Sequence, residues 1–229
     1  MGSTDLLSLG IKMFLAYQKF KSAQEQDRSE QEGEIYQTVT DASTALAQLR
    51  DKEGAVILDI GGRGSGKTEL AYKLAQFIGK PTFAVSPEQK PHPSFIQQIQ
   101  LEEVNEMVPP RSTLILDDAP VQLSNRDYHD ALVQEVERMV PMVRHDRKLH
   151  LIVVTQSGSF VDRWLLDADA AFLKPQSLFA ADFERPAIKK VYQFANPYFE
   201  GQTEDWTRRH AYFICPTYRG IVTVNKVES

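Results

Sequence analysis

Residues 61–68 read Gly-Gly-Arg-Gly-Ser-Gly-Lys-Thr and match in full the phosphate-binding pattern G-x-x-x-x-G-K-S/T. The run before it, Ala55–Ile60, is mostly apolar and rich in β-branched residues, as expected of a buried strand. Residues 68–78 after it carry apolar side chains at helical spacing, which predicts an amphipathic helix. The order strand, glycine loop, helix therefore predicts an α/β protein that binds phosphate at this loop.

The residue types of the loop suit a nucleoside triphosphate. Glycines let the backbone turn tightly and point N–H groups at phosphate oxygens, and the start of the following helix adds partial positive charge. The Lys67 ammonium is expected to reach the β- and γ-phosphates, and the Thr68 hydroxyl to hold Mg²⁺. We therefore predict ATP and Mg²⁺ as cofactors, with the nucleotide bound by Gly61, Gly62, Arg63, Gly64, Ser65, Gly66, Lys67 and Thr68.

Strands and helices alternate along the rest of the chain. The patterns predict further strands at 81–86, 112–118, 149–156 and 170–174, and helices at 40–50, 131–143 and 184–198. Residues 87–100 are predicted to form a loop with a short helix, and 210–215 with 221–225 to form a hairpin. The predicted fold class is α/β, a P-loop NTPase with a mostly parallel central sheet flanked by helices and a C-terminal β-hairpin.

Bulk composition narrows the possible partners. The net charge of −5 argues against a protein that is basic all over, so any contact with DNA has to be local. A single cysteine, Cys215, excludes an internal disulfide framework. No signal peptide is predicted, and no apolar stretch reaches the roughly 18 residues of a transmembrane span.

The N-terminal segment differs from the rest of the chain. Residues 4–20 have an apolar face and a few lysines, which predicts an amphipathic helix that packs on the body, on a neighbouring subunit or on a membrane surface. A polar stretch rich in Gln and Glu follows it. We divide the chain into an N-terminal helical extension, residues 1–50, and a nucleotide-binding domain, residues 51–229.

Two acids end the strand predicted at 112–118. Asp117 follows an apolar run, as does the carboxylate that holds Mg²⁺ opposite a phosphate loop, so we predict Thr68 and Asp117 as the metal residues. Asp118 is next along the chain and is placed to orient or deprotonate the attacking water. This pair predicts hydrolysis of ATP rather than transfer of its phosphate to another acceptor.

The strand at 149–156 carries candidates at both of its ends. Gln156 ends it, and in a parallel sheet this end lies beside Asp117, where an amide can contact the γ-phosphate or the water. Arg144 lies before the strand, in the charged run 144–148, and is either a solvated loop residue or an arginine finger for a neighbouring subunit. Arg147 is the second candidate for that role. The predicted catalytic residues are Lys67, Asp118, Gln156 and Arg144.

Taken together, the loop, Asp118, the Arg144-His145 pair and Gln156 resemble the FtsK–HerA superfamily of DNA-translocating ATPases. Within it the sequence looks most like the poxvirus-type genome-packaging ATPases of viruses with an internal membrane and double-jelly-roll capsids. The resemblance covers residue 53 to the C-terminus and includes the terminal hairpin. One departure is that no added DNA-reading domain is visible, so recognition of the genome's end is expected to come from elsewhere.

The resemblance implies an ATP-driven double-stranded DNA translocase that packages a viral genome. It implies a homo-oligomeric ring, a hexamer, with nucleotide at each interface and DNA through the centre. Other expected partners are capsid vertex or portal proteins and, through the N-terminal helix, the viral membrane. The location implied is the host cytoplasm or the virion vertex. Candidate DNA contacts are Lys189, Lys190, Arg208, Arg209 and Arg219.

Three other functions stay open at the level of sequence. One is a plasmid-transfer or filamentous-phage morphogenesis ATPase of the same superfamily. Another is a small-molecule P-loop kinase, which would need a lid and an acceptor site and is disfavoured by Asp118 and Gln156. The last is an assembly scaffold that binds ATP and hardly hydrolyses it.

Overall fold

The computed structural model describes residues 41–86, 91–117, 146–156, 168–177, 184 and 186–224. The helices are α1 Ala42–Asp51, α2 Lys67–Ile78, a 3₁₀ turn Leu101–Glu103, α3 Val104–Met107, α4 Pro186–Phe199 and α5 Glu204–Arg209. The strands are β1 Ala55–Ile60, β2 Thr82–Val85, β3 Ile96–Gln98, β4 Thr113–Leu116, β5 His150–Thr155, β6 Ala170–Leu173, β7 His210–Cys215 and β8 Tyr218–Thr223. None of the helices in these ranges is long and apolar enough to cross a membrane.

All of these strands belong to one sheet, in the order β3-β2-β4-β5-β1-β6-β7-β8. The strands from β3 to β6 pair in parallel, whereas β7 pairs antiparallel with β6 and β8 antiparallel with β7. The predicted α/β class, the mostly parallel sheet and the C-terminal hairpin are therefore confirmed. Every residue of β1 and of β5 is buried, which explains why these strands read as nearly continuous apolar runs.

The sheet buries an apolar core on each of its faces. Helices α1 and α2 cover one face, where Leu49, Leu70 and Leu74 pack on the odd-numbered side chains of β1. Helix α4 covers the other face through Ile188 and Tyr192. Because side chains alternate along a strand, one apolar strand such as β1 contributes to both cores.

The observed elements differ from the sequence prediction in three places. The segment 87–100, predicted as loop with a short helix, contains the edge strand β3 in its described part, and the short helices follow that segment at Leu101–Glu103 and Val104–Met107. Helix α5 was not predicted, because its six residues are mostly polar and give no apolar period. The hairpin turn is tighter than predicted, with β8 starting at Tyr218 rather than Ile221. The helices predicted at 4–20 and 131–143 lie outside the described residues.

Arg147, which lies just before β5, bonds the backbone of α3. Its guanidinium donates to the carbonyl oxygens of Asn105, at 3.1 Å, and of Val104 and Val108, each at 3.5 Å. The carbonyls of Asn105 and Val108 belong to the C-terminal end of the short helix α3, where backbone acceptors lack helical partners, whereas that of Val104 also accepts from the Val108 N–H at 3.2 Å. Arg147 therefore caps a helix, which makes it a poor substitute for Arg144 as an arginine finger.

A buried histidine lies near the same edge of the sheet. The Lys80 ammonium, which can only donate, lies 3.0 Å from His150 Nδ1, so Nδ1 accepts and Nε2–H donates to the Leu49 carbonyl oxygen at 3.1 Å. Burial lowers the pKa of His150 below its ordinary value of 6.5, and the Lys80 charge lowers it further. The folded protein therefore holds His150 as the neutral Nε2–H tautomer.

This environment predicts loss of stability in mild acid. Below an ordinary histidine pKa of 6.5 the unfolded chain takes up a proton that folded His150 resists, so the free energy of unfolding falls as pH falls. We expect His150→Gln to weaken this dependence, as measured by urea unfolding at about pH 5.5 and about pH 7.5. An equal loss in the wild-type protein and the variant would contradict the assignment.

Candidate nucleotide-binding site

The predicted phosphate loop joins the buried end of β1 to the first turn of α2. Gly64 and Gly66 have φ angles of 75° and 88°, which favour glycine, and Gly66 is the N-cap of α2. The loop is fixed from both neighbouring strands, since Gly61 N–H donates to the Thr155 carbonyl oxygen at 3.2 Å and Gly62 N–H to that of Pro175 at 2.7 Å. The central strand thus delivers the loop to the C-terminal edge of the sheet, where open α/β proteins bind ligands.

Two further contacts explain why glycine is required on the inner side of the loop. A Cβ atom at Gly61 would lie 2.4 Å from Lys174 Cβ, and one at Gly66 would lie 3.0 Å from the Arg208 carbonyl oxygen. The first separation is shorter than real Cβ contacts allow. The loop therefore rests directly on the end of β6 and on α5.

The polar groups of the loop converge on the space in front of α2. Lys67 is buried and its ammonium donates to the Gly62 carbonyl oxygen at 2.9 Å, across the mouth of the loop. The Ser65 hydroxyl is buried and has no hydrogen-bond partner among the described residues. A phosphate oxygen would give both groups an acceptor, so the cradle fits the predicted ligand.

Thr68 and Asp117, the two residues predicted to hold a metal ion, lie within hydrogen-bond distance of each other. The Thr68 hydroxyl donates to the Asp117 carboxylate, with its oxygen 3.2 and 3.3 Å from the two carboxylate oxygens. A hydroxyl and a buried carboxylate beside a phosphate cradle are oxygen ligands of the type that Mg²⁺ takes. One turn further along α2, burial first and then the negative charges of Asp117 and Glu69 raise the pKa of Tyr72 to about 12, so this hydroxyl stays protonated.

The remaining predicted site residues have different positions relative to the loop. Gln156 is exposed and follows Thr155, whose carbonyl holds Gly61, so it lies at the same sheet edge as the loop. Strand β5 also pairs in parallel with β4, which ends next to Asp117. Asp118 and Arg144 lie outside the described residues.

Two charged residues of the site were missed by the sequence analysis. Asp59, on β1, is fully buried, and neither of its carboxylate oxygens accepts a hydrogen bond within the described ranges. Lys174, which follows β6, is also fully buried and acts on Asp59 electrostatically, as does Lys67. Burial raises the pKa of Asp59 and lowers that of Lys174 to about 8. The sequence did carry a signal for both residues, because Asp59 lies within an apolar strand and Lys174 directly follows one.

The candidate DNA contacts are at or near the surface, and several have protein partners. Arg208 and Arg209 form i,i+4 ion pairs with Glu204 and Asp205, at 2.7 and 2.5 Å. The Arg219 guanidinium lies 4.4 Å from the centre of the Phe194 ring. Two more candidates are exposed on α4, Lys189 and Lys190. Exposed ion pairs of this kind are weak, so they leave the arginines able to exchange partners.

The parallel sheet, the glycine cradle before α2 and the paired Thr68 and Asp117 define a P-loop nucleoside triphosphatase fold. No protein-family model matches the sequence, and no curated protein matches it. Solved structures do share the fold. The DNA-packaging ATPase of Sulfolobus turreted icosahedral virus matches with a TM-score of 0.52 and 10% identity, over 78% of this chain and 100% of that one.

Two further solved structures give the same result. The genome-packaging NTPase of Sulfolobus turreted icosahedral virus 2, in complex with AMPPCP, matches with a TM-score of 0.51 and 11% identity, over 77% of this chain and 100% of that chain. Another ATPase matches with a TM-score of 0.50 and 14% identity, over 77% and 80% of the two chains. The predicted resemblance to this group of ATPases is therefore confirmed at the level of the fold.

Proposed function

We propose that this protein is an ATP-driven double-stranded DNA translocase that packages a viral genome. The observation that carries the proposal is the phosphate cradle, with Lys67, Thr68 and Asp117 converging on it, in a fold shared with two viral packaging ATPases. ATP would be the substrate and Mg²⁺ the metal. DNA would be held through its phosphates, without reading of sequence.

The chemistry follows from the positions of the side chains. The loop amides and Lys67 would bind the phosphates, and Lys67 would exchange its bond to the Gly62 carbonyl for one to phosphate. Thr68 and Asp117 would hold Mg²⁺, and its charge would offset that of the bound phosphates. Asp118 would accept the proton of the attacking water, and Gln156 would orient that water or contact the γ-phosphate.

The working unit in this proposal is a ring, with six subunits as the expected number. Ring closure would let Arg144 of one subunit stabilise transition-state charge in the site of its neighbour. Expected docking partners are portal or capsid vertex proteins, with the viral membrane contacted by the N-terminal helix. The ring would act in the host cytoplasm or at the virion vertex.

ATP turnover with and without linear double-stranded DNA tests the function. We expect DNA of any sequence to stimulate turnover and added salt to weaken the stimulation, because phosphate contacts release counterions. Size measurement with a non-hydrolysable ATP analogue should show a ring. A monomer that phosphorylates a small molecule and ignores DNA would identify a kinase instead, and tight binding without turnover would identify a scaffold.

Mixing two inactive variants tests whether Arg144 acts in trans. Arg144→Ala and Lys67→Ala should each hydrolyse ATP at least about 1000-fold more slowly than the wild type. Mixed rings should recover part of the activity, because some interfaces join an intact Lys67 site to an intact Arg144. Wild-type turnover by Arg144→Ala, or no recovery in mixed rings of normal size, would remove Arg144 from the reaction.

A further inference from the structure

Lys174 is a buried lysine whose hydrogen bonds go to the end of a helix. Its ammonium donates to the carbonyl oxygen of Arg208 at 2.7 Å and to that of Thr207 at 3.4 Å. Both carbonyls lie in the last turn of α5, where backbone acceptors lack helical partners and carry partial negative charge. Lys174 therefore ties the end of β6 to the end of α5.

The same side chain lies against the phosphate loop at two points. Its Cβ excludes any side chain at Gly61, and its ammonium lies 3.6 Å from where a Cβ of Gly66 would be. The Arg208 carbonyl oxygen, which Lys174 holds, lies 3.0 Å from that same Gly66 position. One contact layer behind the phosphate cradle thus joins Gly66, which is the N-cap of α2, to Lys174 and the end of α5.

Asp59 connects this layer electrostatically to Lys67. Its buried carboxylate lies in the field of both lysines and accepts no hydrogen bond in the described part of the chain. Lys67 now donates to the Gly62 carbonyl oxygen, and a bound phosphate would draw it forward. Of these two lysines, Lys174 would then remain to balance Asp59, so phosphate binding changes the charges around Lys174.

We propose that Lys174 is a positioning residue that transmits phosphate binding from the loop to α5 and the start of β7. The inference rests on the nucleotide binding proposed above, but not on DNA translocation. Loss of the Lys174 ammonium would leave the α5 carbonyls and Asp59 without their shared cation. The loop would still bind nucleotide through its amides and Lys67, but α5 would no longer respond.

Hydrogen exchange with and without ATPγS measures this response. In the wild type, ATPγS should slow exchange in residues 61–68 and also in 204–215. In Lys174→Met, saturating ATPγS should still protect 61–68 while protection of 204–215 is lost, because the charged hydrogen bonds from Lys174 to the α5 carbonyls are gone. Lys73→Met is the matched control, because it removes a lysine on α2 that bonds only Gln76 among the contacts described, and it should behave as the wild type.

A double variant, Asp59→Asn with Lys174→Met, keeps the test valid if the single variant does not fold, since it leaves no buried carboxylate without a cation. It should also lose protection of 204–215. Retained protection of 204–215 in either variant, or its absence in a wild type whose loop is protected, would overturn the inference. A wild type without protection at 61–68 would instead contradict nucleotide binding itself.

Discussion

Lys67→Ala is expected to lower ATP turnover about 1000-fold and to weaken ATP binding, because its ammonium is the cation placed across the phosphate cradle. Lys67 is buried and its ammonium bonds the loop's own Gly62 carbonyl oxygen, so the substitution removes a positive charge from inside the cradle. Turnover under saturating ATP and Mg²⁺, together with ATP affinity by titration calorimetry, measures both effects. Thermal melting checks that the variant is folded.

The matched control is Lys73→Ala, six positions further along α2, where the lysine lies 3.4 Å from the Gln76 side chain. It removes the same charge from the same helix and should leave turnover within about twofold. Equal losses in both variants would show that helix charge, rather than placement in the cradle, causes the effect. Near-normal turnover in Lys67→Ala would rule out the phosphate role.

Asp118→Asn should separate binding from chemistry. If Asp118 accepts the proton of the attacking water, the variant binds ATP normally and hydrolyses it about 100-fold or more slowly. Asp117→Asn should differ by also raising the Mg²⁺ concentration needed, because Asp117 faces Thr68. Single-turnover assays across a range of Mg²⁺ concentrations distinguish these two results.

The same substitution at the two adjacent acids thus gives different expectations for the Mg²⁺ concentration that turnover requires. If Asp118→Asn needed more Mg²⁺ than the wild type and Asp117→Asn did not, the two assignments would be exchanged. Normal turnover in Asp118→Asn would direct attention to another acid, for which Glu69 in the first turn of α2 is the candidate.

Much of the fold was predictable because its signals are local. The strand, loop and helix around Gly61–Thr68 are consecutive in sequence, and apolar runs mark β4, β5 and β6. Parallel pairing then places Asp117 and Gln156 at one sheet edge without any knowledge of distant contacts. These features depend on residue type and order alone.

The parts that were missed depend on contacts between distant residues. The burial of Lys174 is explained by the carbonyls of α5 and by Asp59, and the position of Arg147 by the carbonyls of α3. Strand β3 has three residues, which is too short for a period to appear, and among the described strands it pairs with β2 alone. Asp59 lies in the field of Lys174, which is far along the chain, so no sequence window contains both residues.

Because β1 lies between β5 and β6, both of its edges stay unpaired during synthesis until residues 150–155 and 170–173 have been made. A nascent chain that contains the complete loop sequence but not these strands therefore lacks the Thr155 and Pro175 carbonyls that fix the loop. Parallel pairing across such separations is slow and exposes apolar strand edges to aggregation. Pairing of β1 on both edges therefore has to wait for the C-terminal third of the chain. A chain that stops before β6 would expose one edge of β1, with its β-branched residues, and would lack a completed nucleotide site.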